Sequence, residues 1–172
     1  MQGRVYHLAL NDVDGGKPHL HVVVLAFSGN RDCIVVPAYS VDGPTINDFI
    51  TSCLKSGMRE DQIYVRLDNS QCIKFPSDFP AKEAYWCVAR PRRVAQKTVL
   101  ASRFIDEMSA PAMLLIVSRL LASLQGNSFG LSLSPNATKS LRNYAKSLAI
   151  ECGSTEQPNI SEHPVSDAAN QI

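Results

Sequence analysis

The stretch Gly15-Gly16-Lys17-Pro18-His19-Leu20-His21-Val22-Val23-Val24-Leu25-Ala26-Phe27 decides how the chain is read. Its glycines suit a tight turn, and the three successive valines favour a pleated, buried strand over a helix, because a branched β-carbon is stiff and crowds a helical turn. A strand repeats every two residues, so His19 and His21 fall on one face. Ser28-Gly29-Asn30 ends the strand.

Reading outward, residues 3–10 alternate, with Tyr6, Leu8 and Leu10 on one face and Val5, His7 and Ala9 on the other. The turn formers at 11–16 make the two strands a hairpin. A third apolar run, 33–38, is expected to stop at Pro37, which has no N–H for a ladder and belongs at a strand end or edge. The pattern then changes period. Ile46, Phe49, Ile50, Cys53 and Leu54 follow helical spacing, with Asp42 or Gly43 to cap the start, Pro44 in the first turn and Gly57 at the stop. Alternation returns at 62–67, with a partner strand at 72–75 across the Asp68-Asn69-Ser70 turn, a loop at 76–80 and a further strand at 85–88.

Residues 89–97 hold the one concentrated basic stretch, with Arg90, Arg92, Arg93 and Lys97. Ser109 and Pro111 then open a helix that is apolar nearly all round over 112–124, and Ser134 and Pro135 open another, whose stripe is Ala137, Leu141, Tyr144, Ala145 and Leu148. The first of these needs cover. Either the second helix packs on it, or two copies meet there, and a homodimer is the expectation. The fold class expected is α+β and mainly β: a strongly bent antiparallel sheet of five to seven strands, with an inserted helix and two carboxyl-terminal helices.

Composition bounds the function. A chain of 172 residues, 45% hydrophobic, buries one substantial core. The 17 basic and 16 acidic residues leave a net charge of +1, so a nucleic-acid partner has to be held by a local patch. No signal-like amino terminus and no membrane-length apolar run is present, so a cytoplasmic protein without membrane contact is expected. The five cysteines lack any Cys-x-x-Cys pair, which argues against a disulfide framework and against a zinc ribbon. His19-x-His21 with Cys33 or Cys87 lacks ligand spacing, so neither a metal nor another cofactor is expected.

Gly3-Arg4-Val5-Tyr6, Gly16-Lys17-Pro18-His19 before the valine run, and Val35-Val36-Pro37-Ala38-Tyr39-Ser40, taken with the order of elements, resemble the MazF/PemK-like toxin endoribonucleases. The resemblance covers roughly residues 1–124. It implies an SH3-like barrel domain with its closing helix over 1–124; the helical stripe that follows gives an extension over 125–152, and residues 153–172, polar and poor in large apolar groups, are expected to be a disordered tail. The resemblance also implies a metal-independent endoribonuclease acting on single-stranded RNA, with an antitoxin protein as partner. Where that family's second strand commonly opens with Arg-Pro, this chain has His19-Leu20, and its Pro-x-Thr/Ser is represented by Pro37 with Tyr39 and Ser40.

Cleaving RNA without metal needs a base for the 2′-hydroxyl proton, an acid for the leaving 5′-oxygen, and donors on the phosphorane oxygens. Histidine titrates near neutral pH, which makes His19 and His21 the acid–base candidates, with Ser40 as the third catalytic candidate. Tyr39, Arg90, Arg92 and Arg93 are the nucleic-acid contacts expected, with Tyr85 and Trp86 as stacking candidates. The alternative reading is a non-catalytic SH3-like module that binds nucleic acid or protein. Convergence of His19, His21, Ser40 and an arginine in one cleft separates the two.

Overall fold

A computed structural model describes residues 1–10, 17–27, 32–68, 82–126 and 133–153. The turns expected at 11–16, 28–30 and 69–70, the strand at 72–75, the loop at 76–80, most of the 125–132 loop and all but the first residue of the 153–172 tail lie outside the described residues.

Among the described residues the fold is α+β, built on one antiparallel sheet of seven strands curled into a half-barrel. β1 (Arg4–Ala9), β2 (Pro18–Ala26) and β3 (Asp32–Ser40) are its centre. β4 (Val65–Asp68) and β5 (Glu83–Trp86) extend it beyond β3, β6 (Arg92–Ala95) also pairs with β3, and β7 (Arg103–Glu107) closes the side beyond β1. The inserted helix α1 spans Pro44–Lys55, and Gly43 caps it in extended backbone. Gly57, at φ 89°, turns the chain out of α1 in the left-handed region that glycine enters without a Cβ clash. A short α2 (Gln96–Leu100) precedes β7, and α3 (Ala110–Gly126) and α4 (Pro135–Glu151) end the described fold.

Three differences from the sequence reading have physical causes. β3 runs through Pro37 to Ser40 and is central, not stopped at the proline. It tolerates proline because it changes partners there: residues 32–35 pair with β6 and 38–40 with β5, and between them the Pro37 carbonyl accepts from the Cys87 N–H at 2.8 Å. The basic stretch contains β6, whose Arg92 and Arg93 alternate across a ladder made by backbone groups indifferent to side-chain charge. β7 also went unread, because it is an edge strand whose Arg103, Asp106 and Glu107 give no apolar pattern, as is usual for strands that must not recruit another chain.

Alternation sorts the side chains. Val5, Leu20, Val22, Ile34, Val36 and Ala38 point into the main core, where Trp86 is fully buried. That core is roofed by α3, whose Met113, Ile116, Val117 and Leu120 are buried against it, and each such side chain contributes about 1.5 to 3 kcal/mol. α3 is apolar nearly all round because α4 packs on it within the chain, bringing Ala137, Leu141, Ala145 and Leu148 into the same core. Ser134 caps α4 by accepting from the Ala137 N–H. The opposite face of the sheet carries two smaller clusters: Tyr6, Leu8, Val23, Val35 and Val94 at one end, and Tyr39 beneath Ile46 and Cys53 of α1 at the other.

Candidate functional site

The two histidines stand between these smaller clusters. His21 pairs in register with Tyr6 on β1 and Pro37 on β3. His19 pairs with Leu8 on one side and, one step along the β2–β3 register, stands across from Tyr39, its ring 5.0 Å from the tyrosine ring at 50°. Both histidines therefore share the face that carries Tyr6, Leu8 and Tyr39, as the period of two requires.

Their environments differ. His19 is half-buried at the strand start. His21 is only 1% exposed, its Nδ1–H donates to the His19 carbonyl at 3.0 Å, and its Nε2 has no hydrogen-bond partner among the described residues. Burial pushes its pKa down to about 4; the hydrogen bond to the His19 carbonyl opposes that shift, and the electrostatic influence of nearby His19, Arg92 and His7 adds to it. The ring is neutral at physiological pH, with an inward lone pair. Through its bond to the carbonyl it fixes the backbone that carries His19.

The cation comes from the link between β5 and β6. Three backbone bonds fix that link: Cys87 N–H to Pro37 O, Ala89 N–H to Ile63 O at 3.1 Å, and Arg90 N–H to Cys87 O at 3.1 Å. They carry the Arg90 guanidinium to 6.0 Å from the Tyr39 ring and 4.5 Å from the Phe49 ring of α1, within cation–π range. Arg90 is half-buried, and its Nη1 has no hydrogen-bond partner among the described residues. Imidazole and guanidinium thus flank one tyrosine ring.

Of the other candidates, Arg92 opposes Val35, on the face of His21. Arg93 opposes Ile34 and is exposed on the other face, its guanidinium 5.6 Å from Phe27. Ser40 pairs with Ala84 and follows the parity of Ala38, so the strand places it on the face opposite Tyr39 and His19. The structure brings together His19, His21, Tyr39, Arg90 and Arg92, and leaves Ser40 and Arg93 apart from them. Trp86 is core, whereas Tyr85 opposes Tyr39 and packs on Tyr64 with centroids 4.3 Å apart. Phe49 was missed as a site residue, since its place in the apolar stripe of α1 reads as packing.

Neither thiols nor a metal cluster adds chemistry among the described residues. Burial pushes the Cys33 thiol up to about 11 and the Cys87 thiol up to about 12, and no group of three His, Cys, Asp or Glu is arranged to hold a metal ion. The described Cys33, Cys53, Cys87 and Cys152 are all free, and no helix among the described residues is long and apolar enough to cross a membrane. The chain matches no family model and no curated protein.

Proposed function

We propose that this protein is a MazF/PemK-like endoribonuclease acting on single-stranded RNA, with His19 and Arg90 at the scissile phosphate and the buried Tyr39 ring packed against both. The observation that carries the reading is the shared ring: Arg90 and His19 lie within 6.0 Å and 5.0 Å of Tyr39. The chain has no arginine at the opening of its second strand, and Arg90 supplies the guanidinium from another segment on the same face. In the reaction the 2′-oxygen attacks phosphorus as a base removes its proton, the bond to the 5′-oxygen breaks, and that oxygen takes up a proton. His19 serves as the proton-transfer group, and Arg90 places its N–H donors on the phosphorane oxygens. His21 acts by holding the His19 backbone. On the same reading the partners are RNA and an antitoxin-type protein; because α4 covers α3 within the chain, the expected homodimer has to form on another face, and sedimentation at micromolar concentration tests it.

The test is single-turnover cleavage of mixed-sequence RNA in EDTA by wild type, His19→Ala and Arg90→Ala. Loss of a general acid or base lowers the rate by about 100-fold or more, so His19→Ala is expected to lose that much while retaining RNA affinity. Undiminished cleavage by folded His19→Ala would remove His19 from the mechanism. A second reading, an RNA-binding module without turnover, is favoured by the burial of His21 and the placement of Ser40 on the far face. Binding without cleavage by wild type across varied RNA sequences would select it.

A further inference from the structure

A groove of about 570 Å³, lined by Arg59, Asp61, Tyr64, Arg66, Leu115 and Arg119, lies apart from His19 and Arg90 and opens between the 3₁₀ turn Glu60–Gln62, the start of β4 and α3. Its charges are compensated. Asp61 is shared by Arg59 at 3.1 Å and Arg119 at 2.6 Å, Arg66 pairs with Glu83, and the Tyr64 hydroxyl donates to Glu60. A phosphate here would have to displace these carboxylates, so the groove is poorly made for a polyanion.

What it offers is fixed donors beside an aromatic ring. A guanidinium carries five N–H donors. Asp61 takes two from Arg59 and one from Arg119, which leaves both forks with donors to give. Leu115, 39% exposed, adds apolar surface that a flat ring would cover. The occupant these features describe is neutral, planar and rich in acceptors along one edge. The groove is also linked to the first site through neighbouring residues: Tyr64 packs on Tyr85, Tyr85 pairs in register with Tyr39, and Tyr39 packs on His19.

We propose that the groove is a base-reading pocket that takes a guanine from the RNA strand whose phosphate lies at His19 and Arg90. The base stacks on Tyr64, and its O6 and N7 accept from the Arg119 guanidinium. Guanine is the base that presents two adjacent acceptors to such a fork; adenine puts a donor beside its N7. This inference rests on the RNA-acting reading above, and it adds the sequence preference.

The test uses 2′-O-methyl heptamers, which lack the attacking hydroxyl, in fluorescence anisotropy titrations. Uridine heptamers carrying one guanine, moved through each position, are compared with the same heptamers carrying adenine or 7-deazaguanine. At one position guanine is expected to bind about tenfold tighter or more than either replacement, the scale of a bidentate base contact. Arg119→Lys keeps the charge beside Asp61 but loses the fork, and Tyr64→Leu loses the stacking surface. Each is expected to abolish the preference and to leave affinity for the all-uridine heptamer at the wild-type value, with thermal melts confirming the fold. A wild type that shows no guanine preference at any position, or a preference that survives both substitutions, overturns the pocket while leaving RNA binding intact. If no heptamer binds at all, the RNA-acting reading and the pocket fall together.

Discussion

His19 and Tyr39 face each other across the β2–β3 pairing with ring centroids 5.0 Å apart, and Arg90 reaches the same tyrosine from the link between β5 and β6. The arrangement depends on three backbone segments at once, so its parts can be removed singly.

Arg90→Ala removes a guanidinium held against two rings, and Arg90→Lys keeps the charge without the planar stacking surface. The alanine variant is expected to lose about 1 to 2 kcal/mol of stability, the range of partly desolvated cation–π contacts. Both variants should bind RNA less tightly than wild type, with lysine intermediate. Urea melts and RNA titrations check this, and a lysine variant binding as tightly as wild type would show that charge alone matters.

His21 predicts a pH dependence of stability. Its folded pKa, about 4, lies below the ordinary value of 6.5, so the unfolded chain binds the proton more readily. Stability is therefore retained above about pH 6.5 and lost progressively as pH falls towards 4, by up to about 3 kcal/mol. His21→Gln should flatten that slope. Urea midpoints at pH 7, 6 and 5 for both proteins provide the measurement, and parallel curves would count against a buried neutral imidazole.

Leu141→Ala tests whether α4 belongs to the core. Leu141 is fully buried in the cluster that contains Trp86 and Leu120. Truncating a buried leucine costs about 2 to 5 kcal/mol. A change below 0.5 kcal/mol, typical of surface positions, would mean that α4 is only an appendage.

Gly3 stands at φ 81°, where its N–H donates to Val23 O and its carbonyl accepts from the Met108 N–H, both at 2.9 Å. A Cβ there would meet the Tyr144 hydroxyl oxygen at 3.6 Å, an ordinary contact, so the penalty is backbone strain. Gly3→Ala is expected to cost about 1 to 2 kcal/mol, read as a lower urea midpoint with an unchanged slope.

The sequence was most legible where periodicity and burial agree. The valine run of β2, the alternation of β1 and the stripe of α1 could be read because each buries one face, and the caps of α1 and α4 announced themselves at Gly43 and Ser134. β6 and β7 hid because backbone ladders hold strands whose side chains are largely charged or exposed. At the site, the shared face of His19 and His21 follows from spacing alone. The burial of His21 does not, since it depends on Tyr6 and Pro37 from other strands. Ser40 was placed by its nearness to Pro37 in the chain, whereas strand parity turns neighbouring residues to opposite sides.

The change of partners at Pro37 ties the aim of the cation to the interior of the molecule. The main core is built from side chains on the far face of β2 and β3. The position of Arg90 is set instead by the short link that leaves β5 after Trp86 and enters β6 at Arg92. That link is itself buried at Cys87, Val88 and Ala89, and Val88 joins the main core, so one residue added to or taken from it would re-aim the guanidinium only by repacking the interior. The aim of the cation and the packing of the interior are therefore coupled, and a designer who moves one has to rebuild the other.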